Sequence, residues 1–407
     1  MRISYLLLTL LFLCAPLVRA EEPKAKIDIS GVVKGNNDFA FELYKQLAKK
    51  AKPDENIIFS PYSIQCALAM TYGGARGETA KEMAKVLHFD PDQDKFHPTF
   101  AELRRQLSTP KKGSKTEFLL ANALWINEGM KVHDPFKQLM GKHYNACLYS
   151  ANFSSDSENE RVKINKWVEE QTKQEIKEVL PVGALSPDTV MVIGNALFMK
   201  FEWKHPFNKK HTTSKKFHLS QKASIEVPTM HIIEGFRYAE NKDYELVELL
   251  SADEQHALLI CLSKDRIRTN ETMLKAEVLQ ELLTKMAWAE VDLSLPLFDI
   301  KYDVKLRDSF KELGLRTSFG SGANFLGIAD RNIYLEQIYH SAKITIDEKG
   351  AKASAATIGA MRPLSGSINE NKKAVVVDCP CTLLLQEKAT KTIKFMLRLS
   401  NPMAPKN

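Results

Sequence analysis

At 407 residues, with 44% hydrophobic and 26% charged side chains, the chain has the composition of a globular protein with a large core, which excludes a disordered or fibrous one. A formal charge of +7 is a mild basic excess for this length and does not point to nucleic acid. Length alone favours more than one domain, but no Gly, Ser or Pro linker divides the chain and no internal repeat appears, so one continuous mixed α/β domain fits better.

Residues 1–20 read as a secretory signal peptide: Arg2 precedes an apolar run from Tyr5 to Ala15, and Pro16, Val18 and Ala20 form a small-residue cleavage site. A bilayer-spanning helix needs ~20 apolar residues, so this run is too short for a membrane anchor. The mature domain is then 21–407, secreted and without a membrane partner. Loss of Arg2 and Arg19 lowers the charge by two, from +7 to +5, and loss of Cys14 leaves Cys66, Cys147, Cys261, Cys379 and Cys381. An odd number leaves at least one thiol free or intermolecular. Cys379 and Cys381 flank Pro380 on one strand face, where disulfide geometry is rarely reached, and C-x-C without a second pair falls short of zinc's ligand number. They read as small buried hydrophobes, and neither a metal nor a cofactor is expected.

Along the mature chain, Asn37 or Asp38 can cap an amphipathic helix carrying Phe39, Leu43 and Leu47. Pro61 starts a second helix, nearly all apolar from Ile64 to Met70 and therefore buried on most sides. The stretches TEFLLANALWI, VMVIGNALFM and AVVVDCPCTLLLQ read as buried strands. INKWVEEQTKQEIKEVL and DVKLRDSFKELG read as helices, the latter closed by Gly314. Given secretion, Asn152-Phe-Ser and Asn270-Glu-Thr are glycosylation sequons, and Asn270 also stands where a cap would, ahead of Leu274, Val278 and Leu282. Catalytic signatures are missing: no G-x-S-x-G elbow, no phosphate-binding glycine loop, no H-E-x-x-H. The chain does not read as an enzyme.

The informative stretch follows the strand-like YHSAKITI and runs IDEKGAKASAATIGAMRPLSGS. From Gly350 to Ala356 every residue except Lys352 is Gly, Ala or Ser. Such a run suits a surface loop, yet Ala and Thr can also enter a sheet without glycine's entropic penalty. In a strand, Ala351, Ala353, Ala355, Thr357 and Gly359 share one face, all small. Lys352, Ser354, Ala356, Ile358 and Ala360 share the other. A segment that must slide into a crowded sheet and bury one face needs this pattern.

With FSPYSI, GARGETAKEM, INKWVEE, NALFMKFEW, HSAKITIDEKG and FMLRLSNP in order, the mature chain resembles the serpin family over nearly all its length. The resemblance implies an α+β fold, one domain of about nine helices and three β-sheets, with an exposed reactive-centre loop near 348–372. It implies suicide inhibition of an extracellular serine protease by a monomer. Glu348 and Gly350 match the hinge, which continues through Ala351, Ala353, Ser354, Ala355, Ala356 and Thr357. Counting on from Glu348 places the reactive bond at Leu364–Ser365. Arg362 precedes Pro363, which blocks trypsin-like cleavage there, and Leu364 suits chymotrypsin-like, cathepsin G-like or elastase-like pockets. Ser60, Ser63, Asn195 and His340 match the cluster that controls sheet opening, and Trp203 matches the breach. Leu297 stands where a lysine commonly pairs with the hinge glutamate, so that ion pair is expected to be absent or otherwise supplied. Arg104, Arg105, Lys111, Lys112 and Lys115 lie where some members bind a heparin-like polyanion. The alternative is a non-inhibitory serpin acting as carrier, storage or chaperone protein; its mark, bulky or charged residues or proline on the inserting face, is missing before Pro363.

Overall fold

In the computed structural model, which describes residues 27–109, 113–114, 116–266, 274–331, 333–351 and 372–403, the first helix begins earlier than its candidate caps suggest. It spans Ser30–Lys50, with Asn37 and Asp38 inside it. The reason is tertiary: Asn36 Nδ2 donates to the Ile393 carbonyl (3.0 Å), Asn37 Nδ2 to the Lys391 carbonyl (2.9 Å), and Asn37 Oδ1 accepts from the Ile393 N–H (3.0 Å). Amides committed to a distant turn are not available as local caps. The second helix, Pro61–Tyr72, starts on Pro61 behind Ser60 as its cap, and all its residues are buried.

Three segments divide where the sequence reads as continuous. The helix Phe153–Gln171 stops inside INKWVEEQTKQEIKEVL, where Lys173 and Gln174 take φ of 52° and 66°. Within DVKLRDSFKELG, Asp303 to Lys305 finish the strand Phe298–Lys305, and only Arg307–Leu313 is helical, closed by Gly314 at φ 109°. AVVVDCPCTLLLQ breaks around Pro380 into Lys373–Val376 and Cys381–Glu387, since proline cannot continue the ladder.

A central six-stranded sheet has the order Phe298–Lys305, Tyr339–Ile346, Gly350–Ala351, Met191–Glu202, Glu117–Asn127, Cys147–Ala151. Of the other nine strands eight form one hydrogen-bonded path and Thr213–His218 pairs off it, the 17-residue strand Ser224–Glu240 being shared by two sheets. Its first part pairs with Thr213–His218, its last residues with Tyr244–Leu250. With eight α-helices among the described residues, this gives the expected single α+β domain with three sheets. One core lies between helices and central sheet, around Phe39, Tyr62, Phe100 and Phe310. A second lies between the sheets, around Leu197, Met199, Phe201, Leu293 and Phe395.

Candidate functional site

At one end of the central sheet the chain reverses tightly at Asp347–Gly350. Asp347 Oδ1 accepts from the N–H groups of Lys349 (2.8 Å) and Gly350 (3.1 Å), and the Asp347 N–H donates to the Gly350 carbonyl (3.0 Å). Gly350 takes φ 152°, and a Cβ there would lie 2.1 Å from the Phe201 carbonyl oxygen, so only glycine lets the two backbones approach. The turn delivers Gly350 opposite Glu202, and Ala351 opposite both Phe201 and Ile346.

Trp203, buried, clamps this turn: its indole N–H donates to the Asp347 carbonyl (2.9 Å), and its backbone N–H to the Lys349 carbonyl (2.8 Å). The Phe207 N–H donates to the Glu348 carbonyl (2.8 Å). The Glu348 carboxylate forms no ion pair among the described residues; instead the Thr212 hydroxyl donates to its Oε1 at 2.7 Å. The hinge glutamate is thus held by a neutral donor, with Leu297 contributing only its backbone N–H to the Pro228 carbonyl (2.9 Å).

Further along, Met191–Glu202 and Tyr339–Ile346 run parallel and pair only at Ala196–Ser341 and Leu197–Ala342. Beside this junction the expected cluster residues Ser60, Ser63 and His340 meet. The Ser60 N–H donates to His340 Nε2 (3.1 Å), the Ser63 N–H donates to Ser60 Oγ (3.0 Å), and all three residues are buried. Asn195 precedes the junction by one residue and pairs on its other side with Asn122. Burial pushes the His340 imidazole down to about 3, so it is neutral, and with Nε2 accepting, its proton sits on Nδ1. Nδ1 and the neighbouring Ser341 Oγ are buried without hydrogen-bond partners among the described residues. Both groups become available if the two strands part. The roles of Thr212 and Asp347 escape the sequence reading. An Asp three residues before a glycine is a turn signal that could have marked Asp347, whereas nothing local marks Thr212.

Of the remaining expected residues, Ala353, Ser354, Ala355, Ala356, Thr357, Leu364 and Ser365 lie outside the described residues, as do 1–20, Asn270, Lys111, Lys112 and Lys115. Asn152 caps the helix Phe153–Gln171, its Oδ1 accepting from the Ser155 hydroxyl (2.8 Å) and N–H (3.3 Å). Arg104 points inward, donating to the His143 carbonyl (2.7 Å) with its guanidinium 5.4 Å from the centre of the Tyr144 ring. Arg105 forks onto Glu102 at 2.7 and 2.6 Å, so neither arginine is left as a free surface cation. Cys66, Cys261, Cys379 and Cys381 are free and buried, and burial raises the thiols of Cys66 to about 11 and of Cys261 to about 12.

The family model described as serpin (serine protease inhibitor) matches residues 34–402. A serpin-like protein of Thermococcus kodakarensis is 34% identical over 91% of this chain and 86% of its own length. Human alpha-1-antichymotrypsin is 32% identical over 91% of this chain and 88% of its own. The crystal structure of human thyroxine-binding globulin complexed with thyroxine superposes with a TM-score of 0.82 at 26% identity, covering 92% of this chain and 100% of that one.

Proposed function

The chain belongs to the serpin family, a placement that supports a protease-inhibitor or related serpin role, and on that premise we propose that it is a secreted suicide inhibitor of serine proteases cleaved at Leu364–Ser365. The protease serine oxygen adds to the Leu364 carbonyl, and the peptide bond to Ser365 breaks. Ser365 leaves as a free amine, taking its proton from the protease's histidine, and Leu364 remains as an ester on the serine. Leu364 is bait for a deep apolar pocket, which supports a chymotrypsin-like, cathepsin G-like or elastase-like target.

The observation that carries this reading is the register already set by Gly350 and Ala351. Continued into the sheet, it puts Ala353 between Met199 and Ile344, Ala355 between Leu197 and Ala342, Ala356 between Ala196 and Ser341, and Thr357 between Asn195 and His340. The incoming strand would replace just the two pairs that now join its neighbours. Met199, Ile344, Leu197 and Ala342 face the core between the sheets, so Ala353 and Ala355 would be buried there. Lys352 would turn to the opposite face with Lys200 and Thr345. The small face therefore meets the core, and Thr357 arrives at the cluster of Ser60, Ser63 and His340. Each added residue gains ladder hydrogen bonds worth about 1 kcal/mol apiece, which drives the acylated protease along. Its oxyanion hole and triad are then pulled out of line before the ester hydrolyses.

A carrier role is the second reading, favoured by the likeness to thyroxine-binding globulin. One experiment separates the two: mix the protein with chymotrypsin and run a denaturing gel. A covalent band of summed mass supports the inhibitor. Cleavage at Leu364 with no such band and no gain in heat stability supports the carrier.

A further inference from the structure

Between Trp203 and Ile225 the sequence holds six lysines and three histidines and no aspartate or glutamate. This stretch therefore carries +6, against +7 for the whole chain. The fold lays it along one margin: a short turn, Lys209–His211, followed by Thr213–His218, which among the described residues pairs as a strand on one side only, with Ser224–Glu240. Lys209, Lys210, His211, Lys216 and Lys222 are exposed, and none of these four lysines forms an ion pair among the described residues.

This margin touches both ends of the segment 352–371. At one end the Thr212 hydroxyl holds Glu348 at 2.7 Å. At the other, Lys215 Nζ donates to Ser294 Oγ (3.0 Å), and Ser294 pairs with Val376. The His211 ring lies 6.4 Å from that of His231, whose Nε2 is 2.8 Å from Asp292, the carboxylate that also takes Lys372 Nζ at 2.8 Å. Lysines on an edge strand are commonly there to prevent edge-to-edge pairing. That accounts for Lys216 but not for Lys209 and Lys210, which stand off the ladder, nor for the lack of any acid across the stretch.

We propose that this cationic margin is a second contact for the protease held on the loop, recognising carboxylates around the protease's cleft and speeding encounter. The inference rests on the inhibitor reading. The chain on either side of the segment 352–371 rests beside this margin, so a protease bound to that segment is tethered near it, which favours the protease over a free polyanion. Opposed charges at a contact raise association rates by tenfold or more and lose this effect as salt screens them.

The test compares the wild type with the triple variant Lys209→Ser, Lys210→Ser, Lys216→Ser, which keeps Lys215 and Thr212. The rate of covalent-complex formation is measured with chymotrypsin and with chymotrypsin whose lysines have been succinylated. Salt is set to about 10 mM and about 1 M, where charges reach ~30 Å and ~3 Å. The expected result is a roughly tenfold deficit for the variant against the succinylated enzyme at low salt, a smaller one against native chymotrypsin, and none at high salt. The fraction of variant finally trapped stays at the wild-type level. Equal rates at low salt overturn the inference. So does an equal deficit in the distant control Lys45→Ser, Lys49→Ser, Lys50→Ser, or a deficit that appears only when heparin is added, which would make a polyanion the partner. If neither protein forms a covalent band, the inhibitor reading fails too; bands in both at equal rates sink this inference alone.

Discussion

Two strand layers lie on either side of the inter-sheet core, and they are finished to different degrees. Behind it, Cys381–Glu387 and Ile393–Leu399 pair with each other almost end to end, and every residue of both is buried. In front, Met191–Glu202 and Tyr339–Ile346 meet at two residue pairs, with Gly350 and Ala351 wedged between their far ends. The rear ladder has no free position to fill. Among the described residues the central sheet leaves a gap between Met191–Glu202 and Tyr339–Ile346, which a further strand would fill with ladder hydrogen bonds. The difference assigns rigidity to the rear layer and the capacity for change to the front one.

The hardest blow to this comparison is Ala355→Glu. In the continued register residue 355 faces Leu197 and Ala342 in the core, so a carboxylate there resists insertion at a cost of several kcal/mol. The expected outcome is an efficient substrate: chymotrypsin cleaves at Leu364 at an unchanged rate, but covalent complex falls at least about tenfold on a denaturing gel. A fully trapping variant would put the inserting face elsewhere.

Next is His340→Ala, which loosens the front sheet at the junction. It strands the buried Ser60 N–H at a cost of about 1–3 kcal/mol. We expect native gels after mild heating to display polymer or inactive monomer in the variant at temperatures where the wild type stays monomeric and inhibitory. Identical heating curves would remove His340 from the opening step.

The smallest effect starts from the rear ladder. Lys394 is wholly buried, its Nζ 3.0 Å from His256 Nε2, 3.3 Å from the Leu107 carbonyl and 3.7 Å from the centre of the Phe118 ring. Burial pushes its ammonium down from 10.5 to about 7. Between those values the unfolded chain binds the proton and the folded one does not, so stability rises with pH across that window and is flat just below it. Lys394→Met should stabilise the fold by about 2 kcal/mol at pH 7, flatten the rise toward pH 10, and leave protease trapping unchanged, as read by urea unfolding. A wild type with equal stability at about pH 7 and about pH 9.5 would contradict this.

Local chemistry made part of this legible beforehand. Pro61 behind Ser60, Gly314 after its helix and the small alternating face from Ala351 onward each follow from backbone or size rules that act within a few residues. What escaped depends on distant partners. Asn37 looks like a cap until the Lys391 carbonyl and Ile393 N–H claim its amide. Arg104 looks like a surface cation until the Tyr144 ring is folded against it. Thr212 is an unremarkable hydroxyl until the turn at Asp347 brings Glu348 to it. Leu364 and Ser365 rest on family register and on the block that Pro363 sets on Arg362, so the target class stands as a proposal.

The central claim is that the front sheet holds a place for one more strand. Thermal unfolding of the intact protein against the same protein cleaved once at Leu364–Ser365 tests it most directly. If the residues from Ala351 to Thr357 complete the sheet, at about 1 kcal/mol per hydrogen bond gained, the cleaved form melts roughly 15 °C or more above the intact one. A cleaved form that melts at the same temperature, or lower, would mean that the place is not filled and that the account is wrong.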